Sequence, residues 1–234
     1  MVHSVNDQSK TPTILVEEGE DPSQLVIAFT GLQGGLNVTP FDFFSATGLL
    51  SSSRILLRDP SNLLYLTGAG SEAPTFWILL ERLRSEIARL KPERVTCVGT
   101  SSGGYAALLF GHLLEVDQVH AFGPTIQASV LMAVVDRDWH QVLQAARPEH
   151  LLMELRIPLS VWKYRRLESV LGKWNGRTNY TIHVCEQYPP DVKRAARMRG
   201  LPHIEIAMYP CKTHTVAKYL IGERKLLEVI RKPA

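Results

Sequence analysis

The sequence predicts an α/β protein, a mostly parallel sheet flanked by helices and carrying a helical lid-like insertion. Three observations predict it. Short β-branched runs alternate with longer stretches of helical spacing along most of the chain. One of those runs passes straight into a Gly/Ser turn and then a small-residue helix. Between residues 126 and 177 the alternation stops, and some fifty residues pass with helical patterning and no convincing strand.

In chain order the strands are expected at Thr13 to Val16, Gln24 to Phe29, Ser53 to Arg58, Arg94 to Gly99, Gln118 to Phe122, Tyr180 to Cys185 and Ile204 to Tyr209. The clearest helix runs from about Pro74 to Leu90, where Trp77, Leu80, Leu83, Ile87 and Leu90 recur at helical spacing before Pro92 closes the segment. Further helices follow Gly103, Asp191 and His214, the last from Val216 to Ile230. An insertion such as that at about 126 to 177 forms a lid over the carboxyl ends of the strands, where ligands bind in such sheets, or else a packed structural elaboration.

A chain of 234 residues can bury a sizeable core, and one domain over residues 1 to 234 is expected. With 45% hydrophobic and 21% charged residues, disordered and fibrous classes are excluded. No stretch approaches the roughly 18 consecutive apolar residues of a membrane span, and Met1 to Asp7 lacks a charged-then-apolar leader, so a cytoplasmic protein is expected. Cys97, Cys185 and Cys211 are too few and too odd in number for a disulfide framework, which predicts free thiols in a reducing compartment. The net charge of +3 is unevenly spread: residues 1 to 150 hold 10 basic against 16 acidic side chains, and residues 151 to 234 hold 16 against 7. A basic half beside a pocket favours an anionic ligand, such as an acyl group on a phosphorylated carrier.

The stretch that carries chemistry is Arg94-Val-Thr-Cys-Val-Gly99-Thr100-Ser101-Ser102-Gly103-Gly104. A serine on a tight strand-to-helix turn is held in a strained backbone conformation, and glycines two before and two after remove side chains that would clash. The turn lifts the Ser101 hydroxyl into a pocket and sets the Ser102 N–H at a helix N-terminus, where a developing oxyanion is stabilised.

With this motif near mid-chain, the sequence resembles the alpha/beta-hydrolase superfamily from about residue 13 to 231. The runs Arg58-Asp59-Pro60, Tyr65, Gly68 and Ala121-Phe122-Gly123-Pro124-Thr125 look like a poorly characterised bacterial subgroup of it. The resemblance implies the order nucleophile, acid, histidine. His214 matches the general base, because among eight histidines it alone follows a late strand and precedes the terminal helix. The acid belongs in the loop after the Tyr180 to Cys185 strand, where Asp191 fits best and Glu186 is the rival; Asp191 has the competing role of a helix N-cap behind two prolines. The second oxyanion donor is implied in Thr30-Gly31-Leu32-Gln33-Gly34-Gly35, at the Leu32 N–H, with Gln33 as the alternative because Thr30-Gly31 replaces the family's common His-Gly.

Other signals are weaker. Gly68-Ala-Gly70-Ser-Glu-Ala73 matches a dinucleotide fingerprint but has no proper strand before it and no acidic residue after a following strand. Cys211-Lys-Thr-His214 is half a zinc spacing without a second pair. Asp59-Pro60 reads as a turn start. Lys163-Tyr164-Arg165-Arg166 mixes base and aromatic without a nucleic-acid reading motif. The expectation is therefore a serine hydrolase that cleaves an ester or thioester of a small-molecule or carrier-bound acyl substrate through an acyl-enzyme on Ser101, with no cofactor, metal or nucleic-acid partner. An acyltransferase using a carrier-bound donor is the enzyme alternative, and a non-catalytic ligand-binding protein of the same fold is the alternative from another class.

Overall fold

The computed structural model describes residues 12–31, 35–128 and 155–231. Seven strands form one sheet: β1 (Ile14–Glu17), β2 (Asp21–Phe29), β3 (Ser52–Leu57), β4 (Arg94–Thr100), β5 (Gln118–Phe122), β6 (Asn179–Cys185) and β7 (Ile204–Tyr209). Their order is β1-β3-β2-β4-β5-β6-β7. β1 pairs with β3 antiparallel, and every other pairing is parallel. The order reverses between β2 and β4, so the loops after these two strands diverge and leave a crevice at their carboxyl ends.

The helices among the described residues are α1 (Pro40–Thr47), α2 (Phe76–Leu90), α3 (Ser102–Leu113), α4 (Leu167–Leu171), α5 (Pro189–Ala196), α6 (Val216–Gly222) and α7 (Leu226–Arg231). The period of two along the strands sorts their side chains into two cores. Leu25, Ile27 and Phe29 of β2 pack with residues of α2, α3, α4 and α5 on one face. Val26 and Ala28 pack with α1, α6 and α7 on the other. Nearly continuous burial along β2, β4 and β5 is what a parallel sheet covered on both faces produces.

Local sequence explains the ends. α1, which the periodicity did not reveal, starts where Thr39 Oγ1 accepts from the Asp42 N–H and Pro40 takes the first helical turn. α2 starts at Phe76 rather than Pro74, because Thr75 is the cap and its hydroxyl accepts from the Ile78 N–H. The expected helix from Val216 to Ile230 is two helices. Arg224 adopts a left-handed conformation (φ 57°), and the N–H groups of Arg224 and Lys225 close onto the carbonyls of Ile221 and Leu220, a Schellman stop built without glycine.

The free-thiol expectation is corrected. Cys185 and Cys211 form a disulfide with Cα atoms 4.8 Å apart, and Cys97 alone is free. The physical reason is topological: Cys185 ends β6, the neighbouring β7 ends at Tyr209, and a tight turn from the Cys211 N–H to the Tyr209 carbonyl folds Cys211 back over Cys185. Burial pushes the Cys97 thiol far above its ordinary range.

The two ends of the insertion meet. Gln127 bridges Arg166, the Ala128 N–H donates to the Arg165 carbonyl, and the Leu167 N–H donates to the Ile126 carbonyl. Its described part holds a 3-10 helix, Leu159–Tyr164, and α4. It rests on α2 and α3, where Tyr164 stacks on Phe76 at 5.2 Å and the Tyr105 phenol donates to the Tyr164 carbonyl. Residues 129–154 of the insertion lie outside the described residues.

Candidate active site

β4 is the central strand, and the chain passes from its last residue, Thr100, through Ser101 into α3 at Ser102. Ser101 occupies that turn with φ 53° and ψ −117°, a left-handed φ that a non-glycine residue adopts only where its surroundings impose it. The surroundings are specific. The Ser101 N–H donates to the Phe122 carbonyl at 2.9 Å, and the Ser101 carbonyl accepts from the Thr125 N–H at 3.1 Å. Behind it, a Cβ on Gly103 would lie 2.1 Å from the Phe29 carbonyl oxygen, so α3 approaches the end of β2 as closely as bare backbone allows. Ser102 is the first residue of α3 and is 6% exposed, which puts its free N–H beside Ser101 at the helix N-terminus.

The structure joins His214 to Asp191: Nδ1 lies 2.7 Å from Oδ2. Asp191 is 1% exposed, and Arg194 Nη1 lies 3.3 Å from its other oxygen. α5 begins at Pro189, two residues earlier than Asp191, with Tyr188 as the cap position, so Asp191 sits inside the first turn and is not the N-cap. Glu186 is exposed and is not the carboxylate on His214. The His214–Asp191 pair lies against Gly123, whose left-handed φ of 53° and missing side chain both matter: a Cβ there would come 2.9 Å from Asp191 Oδ2 and 3.1 Å from His214 Cε1. Gly123 directly follows Phe122, the residue that holds the Ser101 N–H, so Ser101 and the His214–Asp191 pair converge on one dipeptide. Among the described residues the Ser101 hydroxyl makes no hydrogen bond. Leu32 and Gln33 lie outside the described residues; next to them, the Gly31 N–H donates to the Gly35 carbonyl at 2.9 Å.

Beneath the site, β5 and β6 carry a buried imidazole pair. His120 Nδ1 and His183 Nε2 are 3.1 Å apart, and His183 Nδ1 meets the Tyr209 hydroxyl at 3.0 Å. Burial lowers the His120 pKa to about 4, with the Arg94 charge adding to the effect. Burial, and secondarily His120, pushes His183 well below the ordinary histidine range. The His183 ring stacks on Phe122 at 4.5 Å, and its carbonyl accepts from the Gly123 N–H, so the pair supports the dipeptide on which the site converges.

The remaining signals find structural roles. The Asp59 carboxylate accepts from the N–H groups of Ser61 and Tyr65 and so caps a turn. Gly68 to Ala73 forms a bend with a short 3-10 turn, in which Glu72 accepts from the Thr13 and Ile14 N–H groups. Cys211 is committed to its disulfide and offers no thiolate. In the basic cluster, Arg165 lies over Trp162 at 4.1 Å and Lys163 over Tyr164 at 4.9 Å. Gly123, Arg194 and the disulfide are the parts of the site that the sequence reading missed. Only the Gly-Pro after β5 signalled any of them.

No protein-family model and no curated relative matches the chain. Solved structures do. An alpha/beta hydrolase, MGS-MChE2, from a metagenome of lagoon sediments at Mar Chica, Morocco, is 19% identical over 93% of each chain, with a TM-score of 0.55. Est1E from Butyrivibrio proteoclasticus is 12% identical over 94% of each chain, with a TM-score of 0.58. A capsule O-acetyltransferase of Neisseria meningitidis serogroup A is 16% identical over 93% of this chain and 89% of that one, with a TM-score of 0.59. A mutant of that enzyme in complex with CoA is 13% identical over 94% and 91%, with a TM-score of 0.62. Together with the strand order and the turn at Ser101, these likenesses show that the chain has the alpha/beta-hydrolase fold.

Proposed function

We propose that this protein is a serine hydrolase that cleaves an ester or thioester through an acyl-enzyme on Ser101. The observation that carries the reading is the 2.7 Å bond from His214 Nδ1 to Asp191, lodged against Gly123, one residue from the carbonyl that holds the Ser101 N–H. Asp191 fixes Nδ1 as the protonated nitrogen and leaves the Nε2 lone pair to take the Ser101 proton as the hydroxyl attacks the acyl carbon. Catalytic hydrogen bonds are often long before substrate arrives, which accounts for the unbonded Ser101 hydroxyl. The Ser102 N–H faces the oxyanion as it develops, with the Leu32 N–H proposed as its second donor. His214 then returns the proton to the leaving alcohol or thiol, and water repeats the sequence on the acyl-enzyme.

Transfer of the acyl group to an alcohol is the second reading. It is favoured by the likeness to a capsule O-acetyltransferase and its CoA complex, and by the basic balance of residues 151 to 234. Transfer and hydrolysis share every step up to the acyl-enzyme. The test is labelling of wild type and Ser101→Ala with a fluorophosphonate probe, read by intact mass. One adduct that disappears in Ser101→Ala, along with p-nitrophenyl ester turnover, is the expected result. An adduct or turnover that survives the substitution defeats the proposal.

A further inference from the structure

We infer that the Cys185–Cys211 disulfide is a positioning clamp for the His214–Asp191 pair, and that turnover is therefore set by the thiol redox state of the enzyme. This rests on the hydrolase reading above. The two sulfurs join the two loops that carry the pair: Cys185 is six residues before Asp191, and Cys211 is three before His214. Beyond the end of the sheet, two backbone hydrogen bonds link these loops among the described residues, from the Glu186 N–H to the Tyr209 carbonyl and from the Gln187 N–H to the Cys211 carbonyl.

The histidine side of the arrangement is otherwise lightly held. Lys212 and Thr213 are exposed, and no backbone–backbone hydrogen bond to another described residue restrains Lys212, Thr213 or His214. His214 thus hangs on a short strap between Cys211 and the start of α6 at Val216. One end of that strap is fixed by a covalent bond, to the base of the acid loop. With the bond cut, the strap keeps the Cys211 N–H bond to the Tyr209 carbonyl, the Gln187 N–H bond to the Cys211 carbonyl, the Tyr188 ring 5.8 Å from the His214 ring and the side-chain bond from His214 to Asp191, none of them covalent. Misplacement of a catalytic group by about 1 Å is enough to lower turnover on the order of a hundredfold.

The redox step is an ordinary exchange. A dithiol attacks one sulfur as its thiolate and forms a mixed disulfide. Its second thiol then expels the remaining cysteine, so the enzyme gains two electrons and two protons and the reagent leaves as a cyclic disulfide. Cys185 is fully buried and Cys211 is 7% exposed, so the Cys211 side of the bond is the nearer to solvent and to an incoming thiolate.

The test compares oxidised and dithiothreitol-reduced wild type with the double variant Cys185→Ser/Cys211→Ser, using p-nitrophenyl ester kinetics and near-UV circular dichroism. Alkylation under denaturing conditions counts one thiol in the oxidised enzyme and three in the reduced. The expected result is a loss of at least tenfold in kcat with KM within twofold, in both the reduced enzyme and the double variant, with the near-UV spectrum preserved and kcat recovered on reoxidation of wild type alone. Retention of kcat within twofold at three thiols overturns the inference. So does collapse of the near-UV spectrum on reduction, which assigns the bond to folding alone. If the oxidised enzyme takes no fluorophosphonate adduct, the hydrolase reading fails first and this inference falls with it. A labelled oxidised enzyme that is indifferent to reduction removes the clamp and leaves the hydrolase standing.

Discussion

Acidification from about pH 7 to about pH 5 is expected to lower the stability of the folded state by about 2 kcal/mol through His120 alone. In the unfolded chain this imidazole titrates at its ordinary 6.5, whereas in the fold burial and the Arg94 charge bring it to about 4. As the pH falls below 6.5 the unfolded chain binds a proton that the native protein refuses. At about pH 5 the unfolded population gains a factor of about 30, which is about 2 kcal/mol, and the full displacement below pH 4 corresponds to about 3.4 kcal/mol. His183, lowered by burial and by His120, and the half-buried His112, lowered by burial, act in the same direction. The geometry gives the reason. The 3.1 Å contact between His120 and His183 needs one nitrogen to donate and the other to accept, and Tyr209 and Arg94 bring no negative charge to accommodate a second proton. Urea titrations at several pH values from 7.5 to 5 measure the loss. His120→Gln, which keeps a hydrogen-bonding amide, should flatten the curve by about 2 kcal/mol over that interval. A wild-type stability constant to pH 5, or an unaltered slope in His120→Gln, refutes the reasoning.

Two further outcomes test the site and its scaffold. Asp191→Asn is expected to lower kcat by roughly 10³ to 10⁴ while leaving the fold intact, because it removes the acceptor that sets the His214 tautomer. Glu186→Gln is expected to stay within about twofold, and steady-state kinetics on one ester compare the two. Gly103→Ala places a methyl 2.1 Å from the Phe29 carbonyl and is expected to lose about 3 kcal/mol or more, or fail to fold. Gly222→Ala, with nothing within 4 Å, is expected to gain about 0.5 kcal/mol of helix propensity, and thermal melts of the two variants check the contrast.

The sheet was legible because its strands are apolar runs bounded by turn residues, and such runs report burial directly. The boundaries shifted by one to three residues: β2 begins at Asp21 where Gln24 was expected, and β4 reaches Thr100, which pairs with Phe122, where Gly99 was expected. α1 was missed because Phe43 and Phe44 suggest no single face, although Thr39-Pro40 and Gly48 mark its two ends. The stop at Arg224 was illegible because a left-handed arginine announces nothing in sequence. In the site, Ser101 and Ser102 stood out because the elbow is a local motif. Asp191 as the carboxylate for His214 was implied by the family order and not by any local pattern, whereas the room left by Gly123 and the Cys185–Cys211 bond depend on β5, β6 and β7 lying side by side, a fact of register that no local window contains. His120 and His183 illustrate the same limit: each reads as an ordinary strand histidine, and only the pairing of β5 with β6 makes them one buried couple.

The backbone contact between Gly103 and the end of β2 divides the chain's evolutionary freedom. Where α3 touches the Phe29 carbonyl with no side chain between, Gly103 cannot gain a side chain without moving the turn that carries Ser101. The turn that carries Ser101 is therefore bound on its helix side to a contact that leaves no room for a side chain. The described part of the 126 to 177 insertion is tied to this block as well, because Val161, Tyr164, Leu167 and Leu171 share the core of α3, so latitude there is confined to exposed positions such as Leu155, Leu159 and Trp162.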